Sequence, residues 1–171
     1  NVTIAGATGS TIDDSAQVLV TDGGNANINS GKTLTSKLKT TISGLNGATV
    51  TNEGTLALTG KDGAVGIYSN ASTVKNKKII TTANADSVAI YGKEGSTLTN
   101  ESTGEITTSG TGSAGIYGTN NSTIKNAGAI TTEETGSAGI YADESDATNE
   151  STGTITSKKG SSAGIYAIST S

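Results

Sequence analysis

One phrase recurs through this chain and fixes what it can become: Gly-Ile-Tyr at 66–68, 115–117, 139–141 and 164–166, with Ala-Ile-Tyr at 89–91. The five tyrosines so marked are the only aromatic residues, and they stand 23 to 26 residues apart. A motif that returns at such a period is the signature of a repeat architecture. Each repeat is one supersecondary unit that buries its apolar face only by stacking on a neighbour.

Two further segments recur in step with the first. One is apolar-x-Asn, at Val50 to Asn52, Val74 to Asn76, Leu98 to Asn100, Ile124 to Asn126 and Ala147 to Asn149. The other is Ile-Thr-Thr or a close variant, beginning at Ile80, Ile106, Ile130 and Ile155. The Ile position extends backwards to Leu56, Leu34 and Ile12, with spacings of 22, 22, 24, 26, 24 and 25. The whole chain therefore reads as one continuous solenoid of about seven units of 22–26 residues. Residues 1–44 form degenerate coils that lack the Tyr phrase, and 45–171 form regular ones.

Alternation over four or five residues, rich in Ile, Val, Thr and Tyr, predicts short strands. The Gly, Asn, Asp and Ser clusters between them predict turns. Dense Gly and β-branched residues, with no 3.6-residue stripe, argue against helix. Three short strands per unit predict an all-β parallel β-helix whose coils stack ~4.8 Å apart. Ile67, Ile90, Ile116, Ile140 and Ile165 should then lie one above another. The Asn ladder shares the parity of its apolar neighbour, so its amides should point inward and hydrogen-bond from coil to coil. Between Asn and Ile, some units hold three residues and others five, the latter at 101–105 and 150–154 with Glu-Ser-Thr-Gly. This edge of the rod is variable, and turns are where such variation is tolerated.

Composition narrows the function. Hydrophobic residues make up 32% of the chain, low for a globular core, but the regular isoleucines and a net charge of −4 argue against disorder. There is no Cys, so neither disulfides nor thiol chemistry arise. No apolar run approaches the ~18 residues of a membrane span. The eleven Lys are scattered among fifteen acidic residues, which excludes nucleic acid as a natural partner. The boundaries suggest a piece of a longer protein.

Tyr68, Tyr91, Tyr117, Tyr141 and Tyr166 are the one candidate contact ladder. If Ala or Val and Ile point inward in this segment, Gly and Tyr point outward, each ring covering the adjoining Gly. Such a stripe either supports the sheet as an aromatic stack or presents rigid rings with polar tips to a partner. Thr81, Thr107, Thr131 and Thr156 should form an outward hydroxyl column. Ice-binding solenoids pair such columns, but among the Ile-Thr-Thr variants only Thr154-Ile155-Thr156 has the paired form. Catalysis lacks its usual groups: no His, no Arg, and carboxylates clustered in one turn at Asp143, Glu144 and Asp146, with Glu94 as their one equivalent. Calcium is the only metal to weigh, and the Gly-Gly-x-Gly-x-Asp nonapeptide is absent. Asp13-Asp14 and Asp143 to Asp146 are weak candidates, so no catalytic, cofactor or metal site is expected.

Ser-Ala-Gly-Ile-Tyr at 113–117, 137–141 and 162–166, followed by x-Thr-Ile-x-Asn and Gly-x-Ile-Thr-Thr, resembles the passenger domain of large bacterial type V autotransporter adhesins, closest to the fusobacterial type. The resemblance covers 45–171 well and 1–44 only through the Ile/Leu ladder. It implies a right-handed β-helix, exported through a C-terminal β-barrel that this chain does not contain and displayed at the cell surface. It also implies partners among host receptor proteins, glycans or other bacteria, with flanking coils continuing the rod end to end. The function expected is a rigid stalk with a contact surface. A polysaccharide-active β-helix and, more weakly, an ice- or surface-water-binding solenoid are the alternatives.

Overall fold

A computed structural model describes residues 2–4, 10–12 and 18–169, and all their regular structure is β. Three parallel sheets of seven strands each run the length of the rod. Each coil contributes one strand to each sheet in turn, so we number the coils 1 to 7 from the N-terminus. Coil 5 is representative, with strands Thr97–Asn100, Glu105–Thr108 and Ala114–Gly118. The stack begins at Val2–Ile4, Ser10–Ile12 and Val18–Val20 and ends at Asp146–Asn149, Thr154–Ser157 and Ala163–Ile168. The all-β parallel solenoid with three strands per coil is as the periodicity predicts.

Register carries the ladders through the stack. Ile42, Ile67, Ile90, Ile116, Ile140 and Ile165 are successive partners in the third sheet. Leu34, Leu56, Ile80, Ile106, Ile130 and Ile155 are partners in the second. Side chains from all three sheets meet in one core that includes Val50, Ile67, Ile80, Leu98, Ile116 and Ile140. Burying each Ile or Leu contributes roughly 1.5–3 kcal/mol, which a polar chain recovers only because the column never breaks.

The N-terminal end of the Leu/Ile ladder differs from expectation. Ser10, not Ile12, lies opposite Leu34, and Ile12 lies opposite Ser36. A slip of two residues keeps the strand's parity, so alternation alone does not distinguish the two registers.

A second correction concerns the Gly of Gly-Ile-Tyr. Gly66 and Ile67 are both buried, while Val65 and Tyr68 are half-buried. The strand thus breaks its alternation, and Gly faces inward rather than out under the Tyr ring. A Cβ on Gly115 would stand 2.6 Å from the Gly139 carbonyl oxygen and 2.7 Å from Ile130 Cγ2. The adjoining coil comes too close to admit a side chain there.

Each of the three corners carries its own polar ladder. At the first, Asn52, Asn76, Asn100, Asn126 and Asn149 stack in register. Each amide nitrogen donates to the next Asn Oδ1, at 2.8, 2.8, 2.8 and 2.7 Å. At the second, backbone N–H groups of Ala64, Ser87 and Ser137 donate to the hydroxyls of Ser87, Ser113 and Ser162 at 3.2, 3.2 and 3.3 Å. At the third, Ala48, Ser72 and Ser122 donate likewise to Ser72, Ser96 and Ser145 at 3.1, 3.4 and 3.1 Å. The chain thereby satisfies inward-facing backbone groups where the sheets turn and ladder bonds are interrupted.

The turns at the first corner interlock. Thr103, in a five-residue turn, donates to the Lys77 carbonyl in the three-residue turn beneath at 2.8 Å, and Thr152 does the same to Ala127 at 2.9 Å. The Glu-Ser-Thr-Gly motif therefore clamps a long turn onto a short one.

The third corner holds non-Gly residues in the left-handed region: Asn46 (φ 53), Ala71 (φ 47), Glu94 (φ 55), Asn120 (φ 52), Asn121 (φ 61) and Glu144 (φ 48). Asn tolerates this conformation, whereas the Cβ of Ala crowds the following carbonyl at roughly 1–2 kcal/mol. Ala71→Gly should therefore raise stability by about 0.5–1 kcal/mol once the extra freedom of the unfolded chain is subtracted. Chemical denaturation that shows a lower midpoint for this variant contradicts the assignment of strain.

Candidate functional site

The third sheet holds the tyrosines in an unbroken column, with Tyr68, Tyr91, Tyr117, Tyr141 and Tyr166 as successive register partners. Ile67 and Ser69 flank Tyr68 and are buried, so Tyr68 points outward, and the same holds in each coil up to coil 6. Successive ring centroids are 5.6, 5.0, 4.5 and 5.0 Å apart, with planes inclined between 31° and 66°. These are edge and tilted contacts, the geometry that the aromatic quadrupole favours. Burial among its neighbours pushes the Tyr117 phenol above the ordinary tyrosine range, with Tyr141, Tyr91 and Asp143 adding to the effect. The Tyr68 hydroxyl holds the ammonium of Lys93 beside it above the usual lysine range.

Below Tyr68 the column continues through Ser43 to Leu19, which is 58% exposed. Tyr166 and Ile168, exposed at the other end, stand on the same face. Val65 and Val88, half-buried, flank the rings on one side. The outward positions of the first sheet are instead polar over coils 3 to 6: Thr49, Thr51, Thr73, Lys75, Thr97, Thr99, Thr123 and Lys125. Those of the second sheet are mixed, with Thr55, Ala57, Ile79, Thr81 and Glu105 among them. The aromatic surface is confined to one face of three.

The Thr column of the second sheet is in register, Thr81 to Thr107 to Thr131 to Thr156. Thr35 extends it beyond Ala57. Its companion position holds Thr33, Thr55, Ile79, Glu105, Ala129 and Thr154, so no paired hydroxyl array forms. The second Thr of the motif, at 82, 108 and 132, is buried.

Asp143, Glu144 and Asp146 stand around one corner, where Glu144 and Asp146 line a shallow cleft with Asn121. Asp143 ends a strand of the third sheet, Glu144 lies in the corner and Asp146 opens a strand of the first sheet. Glu94 sits in the same corner two coils below, where Asn120 donates to its carboxylate at 2.9 Å. Asp13 and Asp14 lie outside the described residues. Among the described residues no group of three or more His, Cys, Asp or Glu is placed to hold a metal ion. Inter-coil ion pairs decorate the turns, among them Lys77–Glu53 at 3.0 Å and Lys158–Glu133 at 2.9 Å. Each lysine holds its partner carboxyl below the usual range, but pairs this exposed add little to stability.

The family model described as BigA third pectate lyase-like domain matches residues 1–171. No curated protein and no solved structure matches the chain.

Proposed function

The chain belongs to the family of BigA third pectate lyase-like domains, and from that premise we propose that it is a segment of a surface-displayed adhesin passenger. It acts as a rigid β-helical stalk, and its third sheet is a contact surface for a host receptor protein, a glycan or another bacterium. The observation that carries this reading is the confinement of every Tyr to one outward column. The rings are only half-buried from Tyr68 to Tyr141 and Tyr166 is exposed, so the stack also presents its outer surface to a partner. The resemblance to autotransporter passengers of the fusobacterial type supports display on the extracellular side of the outer membrane. The Cys-free composition suits passage across the periplasm in an unfolded state, where no disulfide can trap it.

Saturable binding of the purified chain to a glycan array, to cultured epithelial cells or to bacterial cells tests the contact role. Replacing Tyr117 and Tyr141 together by alanine should weaken that binding at least tenfold while the far-ultraviolet β signal persists. Binding that is absent, or unchanged in the double variant, leaves a spacer role alone. The reading also assigns no catalysis, since the chain has neither His nor Arg to work beside a carboxylate. Polysaccharide turnover lost in Asp143→Asn would overturn it.

A further inference from the structure

The outer face of the third sheet is self-complementary. Two residues beyond each Tyr runs a second outward column, with Asn70, Lys93, Asp143 and Ile168 at coils 3, 4, 6 and 7. Its one cation and its one anion stand symmetrically about coil 5, whose Tyr117 is the central ring of the five. At coil 5 the column position is Thr119, which is buried. Glu94 and Glu144 follow Lys93 and Asp143 in sequence but belong to the corner turn beyond the strand ends.

We propose that this face binds a second copy of the same chain, with the two rods antiparallel and a two-fold axis along the strand direction at Tyr117. That operation lays coil 4 of one copy over coil 6 of the other while keeping each column over itself. Lys93 then meets Asp143 of the second copy, and Asp143 meets its Lys93. Tyr91 faces Tyr141, Tyr117 faces Tyr117, and Tyr68 with Asn70 faces the exposed Tyr166 with Ile168. The other two-fold arrangement, with rods pointing the same way, lays Lys93 over Val88 and pairs no charges. Either two-fold gives a closed isologous contact, and only the antiparallel one also pairs the charges. The inference goes beyond adhesin display: the second copy occupies the same Tyr face as the proposed contact role, but its test reads self-association of the chain alone, with no host molecule present.

The size of the face sets the strength. Five coils at ~4.8 Å and about six residues at ~3.3 Å give roughly 480 Å² of sheet per copy. Two copies bury about 1,000 Å², the low end for specific association, so the dimer is weak and reversible. Charge complementarity then decides its register and orientation.

Sedimentation equilibrium over a concentration series tests this. The native chain should approach a dimer as a limit, without the open-ended growth that end-to-end stacking of rods produces. Lys93→Asp alone sets carboxylate against carboxylate, and Asp143→Lys alone sets ammonium against ammonium. Each should weaken self-association at least tenfold, with the β spectrum unchanged. An equimolar mixture of the two variants restores both opposite-charge contacts and should recover the native dimer fraction as a heterodimer. The proposal is overturned if the native chain stays monomeric throughout, if either single variant associates as the native chain does, or if the mixture gives no recovery.

Discussion

Replacing Asn100 by alanine is expected to lower unfolding stability by about 3–5 kcal/mol. The side chain is fully buried and receives the Asn76 amide at 2.8 Å. It gives its own N–H groups to Asn126 Oδ1 at 2.8 Å and to the carbonyls of Gly104 and Ala129 at 3.2 and 3.3 Å. Each bond is worth about 1 kcal/mol net, but a buried acceptor left without a donor costs about 1–3 kcal/mol. Removing the amide strands several such groups at once and leaves a void at the first corner. Asn149 sits at the end of the same ladder, exposed, and donates within its own turn to Gly153 at 2.9 Å. Asn149→Ala should therefore cost about 1 kcal/mol. Urea unfolding monitored by circular dichroism separates the two, since the midpoint moves with stability. Equal losses at the two positions would mean that the ladder is incidental to the fold.

Gly128→Ala is the second large effect. Gly128 lies in a three-residue turn against the five-residue turn of coil 5, and a Cβ there would press on the carbonyl oxygens of Glu101 and Gly104. Both are backbone atoms held in place by turn hydrogen bonds, so no side chain can move aside. Coils 5 and 6 must separate or tilt, and a loss of about 3 kcal/mol or more follows. Coupling between coils is confined to nearest neighbours, so such a wedge divides the cooperative unit and broadens the unfolding transition. Gly95 is the comparison. It has φ +73° and nothing within 4 Å of a Cβ, so Gly95→Ala meets only the local penalty of the left-handed region, about 1–2 kcal/mol. Scanning calorimetry of the two variants reads both the midpoint and the breadth. A sharp, native-like transition for Gly128→Ala would refute the wedge.

The core columns and the Asn ladder were legible because they combine parity with an unusual residue. Ile and Asn at fixed offsets have few reasons to recur except that they stack. The two Ser ladders were not legible. Ser is the ordinary residue of a solvated turn, and nothing in its type separates Ser113 at 1% exposure from a serine in water. The clue was present in the Ser that precedes Ala-Gly-Ile-Tyr in three coils, but it reads equally well as turn chemistry. The inward Gly is not legible because strict alternation fails in this strand, where residues 66 and 67 are both buried. Ile12 misled because it has the right parity and an acceptable spacing of 22 residues, while the pairing of Ser10 with Leu34 spans 24. The outward Tyr column was readable from its parity with Ile, but its complementarity was not. That needs the coil numbers of Lys93 and Asp143, which only the register supplies.

The Asn ladder runs one way. Asn52, Asn76, Asn100 and Asn126 each hand an N–H to the Asn on the C-terminal side, so each interior coil from Asn76 to Asn126 is both a socket and a plug. A coil duplicated or excised between Asn76 and Asn126 leaves its neighbours the same amide fittings, while the turns, where a long one clamps onto a short one, keep their match only if gained or lost together. Along this ladder, rod length can thus change by whole turns, and the arrow of the rod is preserved whatever its reach.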